Sequence, residues 1–543
     1  MNNAAPIDSS APAPLTSDGR PPPARTPVSI LRYSPALVMI AAAIANACRF
    51  ADIDLWGHVY FGNAMLRAGR IILNDPYNYS VPGHPWLRHE WLSEALMAAL
   101  YNHFGNVGLK VWHLCVTAVA VVFIAQAEAE TGAPVAIQFG VLATAAVTLT
   151  PAMQFRPQIF TYALFAILIA LLTRDRYGRR APLWLAIPML ALWSNLHGGF
   201  FIGLVALGAY TGVIGLEDLV ARRGLRRAWR LAVLTLVAAA ATFLNPIGVE
   251  CWRTVIVSLR DPMAHRVMAD WRPILVVVAK SRGLHSGIIY FAVWLAFVAA
   301  LALAVCAAPR GGDLPLLAIA ALMIAATFSA VRNMPLAVIA GAPALARHLD
   351  LAIRRLRGGG GARGDEISGA AEPDRARMSP LGQAILAIAA LAMLLGKGGL
   401  LSRKLRAAVE TPSGAVAFMQ SHRLRGNILN DSDWGQYLIW HLAPDSKIFI
   451  DGRFDGVYTP RVINRYLALF YGYPGGARAL AEYPHDFVLA SPESSAYRTM
   501  IARSDWKLLY CDSTCALFAP SNSPPAALPG LPVRGIAPKS YFP

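Results

Sequence analysis

Long apolar runs recur along the chain, separated by short polar stretches. A helix that crosses the hydrocarbon core of a bilayer needs about 20 mostly apolar residues. By that measure spans are predicted near 34–50, 107–125, 133–150, 157–173, 181–196, 199–216, 229–245, 286–307, 314–330, 333–347 and 380–399, about eleven in all. Between 51 and 106 the pattern changes. Phe61, Met65, Ala68 and Ile72 recur at helical spacing with Asn63, Arg67 and Arg70 between them, which predicts a short helix lying in the membrane interface. The turn-rich LNDPYNYSVPGHP follows, and WLRHEWLSEALMAALYNHFG then predicts a second helix with Glu90 and Glu94 on one face. After about residue 400 the long apolar runs are over. NILN, KIFID, DFVLA and WKLLYC read as short strands, with DWGQYLIWHLA, PRVINRYLALF and SAYRTMIARS as helices between them. Such alternation predicts a small α/β domain with a largely parallel sheet.

Composition agrees with the membrane reading. The 543 residues are 56% hydrophobic and 15% charged, against about 25% charged in average soluble domains. The net charge of +17 comes from arginines clustered between apolar spans, in TRDRYGRR (173–180), ARRGLRRAWR (221–230) and ARHLDLAIRRLRGGGGARG (346–364). Membrane proteins set their orientation this way, so the charge is not read as a nucleic-acid signal. With those loops cytoplasmic, alternation over eleven spans puts 51–106, 245–285 and everything after 400 outside, in the periplasm of a Gram-negative cell. The chain then divides into a Pro-, Ala- and Ser-rich disordered cytoplasmic tail (1–30), a membrane domain (31–347) with the large outer loop 51–106, a cytoplasmic linker (348–378), a last span (379–400) and a periplasmic α/β domain (401–543). The six cysteines make no disulfide framework, although Cys511 and Cys515 could bridge a tight turn.

Sorting the polar residues by side exposes a candidate site. Asp52, Asp54, His58, Arg88, His89, Glu90, Arg156, Asn195, His197, Asn245, Trp271, Arg332 and Asn333 all fall at the outer face, while the inner face shows only basic loops. Polar groups at membrane depth are costly and mark functional sites. Asp52 and Asp54 lie two apart, so in extended backbone their carboxylates point the same way. They could jointly hold a divalent cation such as Mg or Mn, or one could act as general base toward an attacking hydroxyl. The plainer alternative is that both solvate a helix end. His58 and Glu90 are candidate catalytic partners. Arg88, His89, Arg156 and Arg332 are candidate substrate-binding groups, since guanidinium forks match phosphate; snorkelling to lipid headgroups is the alternative for Arg156 and Arg332. In WSNLHGGF, Asn195 and His197 could bind phosphate or sugar hydroxyls beside the close approach that Gly198 and Gly199 allow. In the C-terminal domain Asp431, Asp433, Asp451, Arg453 and Asp455 fall near strand ends, where ligands gather. Helix capping and a structural Asp–Arg pair are the favoured reading there.

DIDLWGHVYFGNAMLRAGRIILNDPYNYSVPGHPWLRHEWLSE, together with WSNLHGGF, is similar to a bacterial family of multi-pass proteins over most of the chain. The first loop and the topology also resemble the GT-C class of glycosyltransferases. That class includes protein O-mannosyltransferases, the aminoarabinose transferase of lipid A and the oligosaccharyltransferase catalytic subunit. The resemblance implies a polytopic α-helical membrane protein with a C-terminal periplasmic α/β domain. Such an enzyme moves a sugar, with inversion, from a polyprenyl-phosphate-type lipid carrier to an envelope acceptor, which can be lipid, polysaccharide or protein. Its base is an acidic residue of the first loop, best matched by Asp52 and Asp54. Some members of the class hold a divalent metal at this motif and others need none. O-mannosyltransferases carry two adjacent carboxylates, a pattern absent here, so the resemblance does not choose between the two aspartates. The expected partners are membrane lipids, the lipid-linked donor and the acceptor, with no nucleic acid. A transporter or a non-catalytic assembly protein for envelope polysaccharide is the alternative. A transporter predicts mid-span charges and an internal repeat, of which the sequence shows little.

Overall fold

The computed structural model describes residues 34–543 apart from 87, 178, 261–268, 281–284, 309–312, 358–379 and 529–539. The expected tail, most of the expected linker and the Asp455 side chain lie outside the described residues.

Every predicted span coincides with a helix. In chain order these are α1 (Ser34–Ala47), then, after the loop helix α2 (Leu55–Ala68), α3 (Trp91–Glu130), α4 (Val135–Leu149), α5 (Ile159–Arg176), α6 (Ala186–Leu196), α7 (Phe200–Val220) and α8 (Arg226–Ala241). Past α9 (Val249–Arg260) and α10 (Ile274–Lys280) follow α11 (His285–Ala307), α12 (Leu314–Ser329), α13 (Met334–Leu356) and α14 (Pro380–Leu395). Among the described residues, five helices are long and apolar enough to cross a membrane. Two boundaries differ from expectation. The second loop helix and the span predicted from 107 are one 40-residue element, α3, broken only at Gly105 (φ 57, ψ −147), a backbone conformation open to glycine. Residues 348–356, expected as linker, continue α13.

In the first loop α2 buries Leu55, Trp56, Val59, Phe61 and Met65. Of the stripe expected from the sequence, Phe61 and Met65 are buried and Ala68 is exposed. Ile72, expected on that stripe, lies beyond the helix, which ends at Gly69.

The C-terminal domain carries a five-stranded sheet. Its strands, after the two-residue β1 (Phe50–Ala51) and β2 (Arg406–Ala407), are β3 (Asn427–Asn430), β4 (Lys447–Ile448), β5 (Phe487–Ala490), β6 (Trp506–Cys511) and β7 (Ala516–Pro520), in the order β4-β3-β5-β7-β6. The pairings of β3 with β4 and β5 are parallel; those of β7 with β5 and β6 are antiparallel. The sheet is therefore mixed rather than largely parallel. The strand missing from the sequence reading is β7, which returns from β6 through a turn closed by Asp512, whose carboxylate accepts from the Thr514 and Cys515 amides at 2.8 Å each. Cys511 and Cys515 are not joined in a disulfide.

The first loop and this domain form one unit. β1 pairs in parallel with β2, which follows the last apolar helix. Residues 77–80 run along the free edge of β4: Tyr79 N donates to Ile448 O at 3.2 Å, Ile448 N to Tyr77 O at 3.1 Å, and Ser80 Oγ to Phe449 O at 2.6 Å. An edge left open would offer unpaired backbone groups, and the loop covers it. Arg453 locks the contact. Its guanidinium binds Asp451 of its own segment at 2.7–2.9 Å and Asp75 of the loop at 3.1 and 3.3 Å, with both aspartate side chains fully buried. Phe61 and Trp86 stack beneath it, with their ring centroids at 4.6 and 4.2 Å.

Replacing Arg453 by Met would leave two buried carboxylates facing each other without a counter-charge. The expected loss is about 3–5 kcal/mol, read as a lowered thermal unfolding midpoint of the purified chain and as new protease cleavage within 70–85.

Candidate active site at the junction of the first loop and the C-terminal domain

A cavity of about 880 Å³ opens where the first loop, the helix ends near 151–158, 197–202, 270–277 and 329–336, and the C-terminal domain meet. Nine of the ten residues given catalytic or substrate-binding roles from the sequence line it: Asp52, Asp54, His58, Arg88, His89, Glu90, Arg156, His197 and Arg332. The tenth, Asn195, does not. Its amide donates to Ala191 O and Leu244 O, and its Oδ1 accepts from Trp91 Nε1 at 3.0 Å, so it joins helix ends behind the cavity wall. Asn195 is corrected from a substrate ligand to a structural tie.

The two aspartates converge by a different route from the one expected. Asp54 stands at the start of α2 with helical backbone angles (φ −85, ψ −10), so strand alternation does not align the pair. Arg156, from the turn before α5, does. Its Nε donates to Asp52 Oδ1 at 2.5 Å and its second terminal nitrogen pairs with Asp54 Oδ2 at 3.1 Å. Asp52 Oδ1 also accepts the Asp54 amide at 3.0 Å. Asp54 Oδ1 accepts from Gln436 Nε2 at 2.8 Å, a residue of the C-terminal domain. Burial pushes the Asp54 carboxyl up to about 6, with Arg156 pulling it down and Asp52 pushing it up.

Glu90 and Glu94 divide the histidines between them. Glu94 meets His58 Nδ1 at 3.5 Å, while Glu90 meets His197 Nε2 at 3.4 Å and His89 Nε2 at 3.6 Å. His197 has a defined tautomer. The Gly199 amide donates to its Nδ1 at 2.9 Å and Thr161 Oγ1 lies 2.8 Å away, so the ring proton sits on Nε2 and points at Glu90. Burial pulls the His58 imidazolium down, but the Glu94 hydrogen bond and the nearby Glu90 and Asp54 charges more than offset it, and its pKa is raised.

The cavity arginines fall into two pairs. Arg156 and Arg453 are neutralised by aspartates. Arg88 and Arg332 are backed by aromatic rings instead: Arg88 lies 3.5 Å from the Trp86 ring centroid and Arg332 lies 4.5 Å from that of Trp271. None of the three Arg88 guanidinium nitrogens has a hydrogen-bond partner among the described residues, although the side chain is buried. Below the polar groups the wall turns apolar, with Phe201, Ile202, Ile274, Ile288, Phe291 and Leu336.

A divalent metal does not fit this donor set. Among the described residues no three His, Cys, Asp or Glu side chains converge as metal ligands, and Asp52 Oδ1 and Asp54 Oδ2 are engaged by the Arg156 fork while Asp54 Oδ1 is engaged by Gln436. No chemical step is routed through a metal. Cavity residues that escaped the sequence reading include Glu94, noted there only as sharing a face with Glu90, and Asp270, Gln436 and Gly452. In the C-terminal domain Asp431 caps the turn that follows it by accepting from the Asp433 amide, and Asp451 pairs with Arg453, as the plainer reading expected. Asp433 lines the cavity, and its carboxyl is pushed up to about 6 by burial and by Asp431.

The sequence matches no protein-family profile and no curated protein. The fold does have solved counterparts. The archaeal oligosaccharyltransferase AglB from Archaeoglobus fulgidus, in complex with an inhibitory peptide and a dolichol-phosphate, superposes with a TM-score of 0.55 at 12% identity, over 86% of this chain and 70% of that one. The apo form of the Archaeoglobus fulgidus oligosaccharyltransferase gives 0.50 at 13% identity, over the same shares. The arabinofuranosyltransferase AftD from Mycobacteria gives 0.51 at 14% identity, over 91% of this chain but only 40% of its own length. The protein thus shares its fold with the oligosaccharyltransferase AglB and the arabinofuranosyltransferase AftD.

Arg156→Met is expected to cost about 1–3 kcal/mol by leaving Asp52 and Asp54 partly buried without their shared donor, measured as a fall in the unfolding midpoint. Arg156→Lys should recover only part of this loss, because one ammonium cannot reproduce a planar fork to two carboxylates.

Proposed function

We propose that the protein is a glycosyltransferase that moves a sugar from a polyprenyl-phosphate-type carrier to an envelope acceptor at the outer face of the bacterial inner membrane. The observation that carries this reading is one cavity that combines a carboxylate held up to about 6, two guanidiniums without a carboxylate partner among the described residues, and an apolar wall, in a GT-C fold. Asp54 is the base. It is the more exposed of the two aspartates, at 20% against 7% for the side chain, and Asp52 is held by both the Arg156 fork and the Asp54 amide.

In the proposed reaction a hydroxyl or amine of the acceptor attacks the anomeric carbon and passes its proton to Asp54. The bond from that carbon to the phosphate oxygen breaks, and the electron pair leaves on the carrier phosphate. Attack from the face opposite the leaving group inverts the anomeric centre. Arg88 and Arg332 meet the phosphate charge, since Arg156 is already neutralised. The carrier's polyprenyl chain follows the apolar wall toward the bilayer, and the C-terminal domain lies in the periplasm. A transporter or assembly role needs none of this alignment of base and cations.

Asp54→Asn is expected to abolish the product without preventing insertion, whereas Asp52→Asn should act mainly by loosening Arg156. Mass profiles of lipid A, surface polysaccharide and glycoproteins from cells with and without the protein identify the product. An unchanged profile in Asp54→Asn cells would refute the assignment of the base.

A base must be unprotonated to act, so transfer by the purified protein should be half-maximal near pH 6 and reach its plateau about one unit above. It should fall about tenfold per unit as the pH drops below 6. Chelation of divalent ions should leave the rate unchanged, because no step uses a metal.

A further inference from the structure

Gln436 is the residue by which the C-terminal domain reaches Asp54, and the reaction above gives it no part. It sits in the first turn of the helix Gly435–Leu442 and is only 4% exposed. Its Nε2 donates to Asp54 Oδ1 at 2.8 Å. A carboxylate only accepts, so the amide nitrogen must be the atom that faces it. Gln436 Oε1 is buried and has no partner among the described residues. Two glycines hold the pair in place by close backbone approach. A Cβ on Gly57 would lie 1.8 Å from Gln436 Oε1, and a Cβ on Gly452 would lie 2.7 Å from Asp54 Oδ1. The backbone of α2 and the segment after β4 therefore close on opposite ends of the contact. The charged groups acting on Asp54 are Arg156, Asp52, His58 and Asp451, so Gln436 supplies its neutral donor.

We propose that Gln436 is a positioning residue that fixes the Asp54 carboxylate in its working orientation, so that docking of the C-terminal domain is a condition for base function. This rests on the reading of Asp54 as the base. A base displaced from hydrogen-bond reach of its proton loses the benefit of alignment, and here the alignment is supplied by a residue 382 positions away in sequence.

The contact can be tested without a substrate. The full chain, labelled with carbon-13 aspartate and placed in lipid nanodiscs, gives a carboxylate infrared band for Asp54 when the spectrum of Asp54→Asn is subtracted. Gln436→Met keeps the side-chain length and removes the donor, and should displace that band. Gly57→Ala, whose Cβ pushes the amide aside, should displace it too, but should add nothing in the Gln436→Met background, because coupled residues are not additive. An unmoved band in Gln436→Met overturns the proposal, and Gln436→Glu, which replaces the donor by a repelling carboxylate, repeats the test in a second variant. In cells, Gln436→Met should slow appearance of the glycan product at least tenfold at unchanged protein level, and a wild-type rate would also overturn the proposal. A displaced band combined with normal product in Asp54→Asn would overturn the base reading alone and leave the contact standing.

Discussion

A single buried guanidinium, that of Arg453, joins two parts of the chain that lie 378 residues apart. Asp75 belongs to the first loop and Asp451 to the C-terminal domain, and neither carboxylate could be buried alone. The charge therefore demands that both segments fold against each other. Because the loop also covers the free edge of β4 and pairs β1 with β2, the loop and the domain must lie at the same end of the helices. The cavity exists because of that docking. Its floor comes from the first loop and the helix ends, and part of its wall from residues 432–456.

Within the cavity the division of the arginines matters more than their number. Two are spent on aspartates and hold the architecture. The other two, Arg88 and Arg332, have an indole ring and, among the described residues, no paired carboxylate, and a ring stabilises a cation without neutralising it. Arg156 organises the Asp-x-Asp motif, its guanidinium set against both carboxylates.

Asp54 shows how local chemistry and distant structure combine. Burial raises its pKa, Arg156 lowers it, and Gln436 supplies a neutral donor. Two of these influences come from segments remote in sequence, so the environment of this carboxylate depends on the assembly of helix ends and the C-terminal domain rather than on the motif that contains it.

The apolar runs by themselves determined where the helices form, because the periodicity and length of an apolar segment reflect local packing demands that survive in any context. They also determined which polar residues share one end of the molecule, and the alternation after 400 was enough to place most strands and helices of the C-terminal domain. Only the tertiary structure decided the rest. β7 was missed because its short apolar stretch carries no alternation. Asn195 and His197, two apart in one motif, went to opposite sides of a wall because α6 ends between them. Gln436 and Gly452 could not be read at all: a buried amide and a glycine acquire meaning only from what stands opposite them, and here that is Asp54, brought near by a fold whose contacts span nearly four hundred residues.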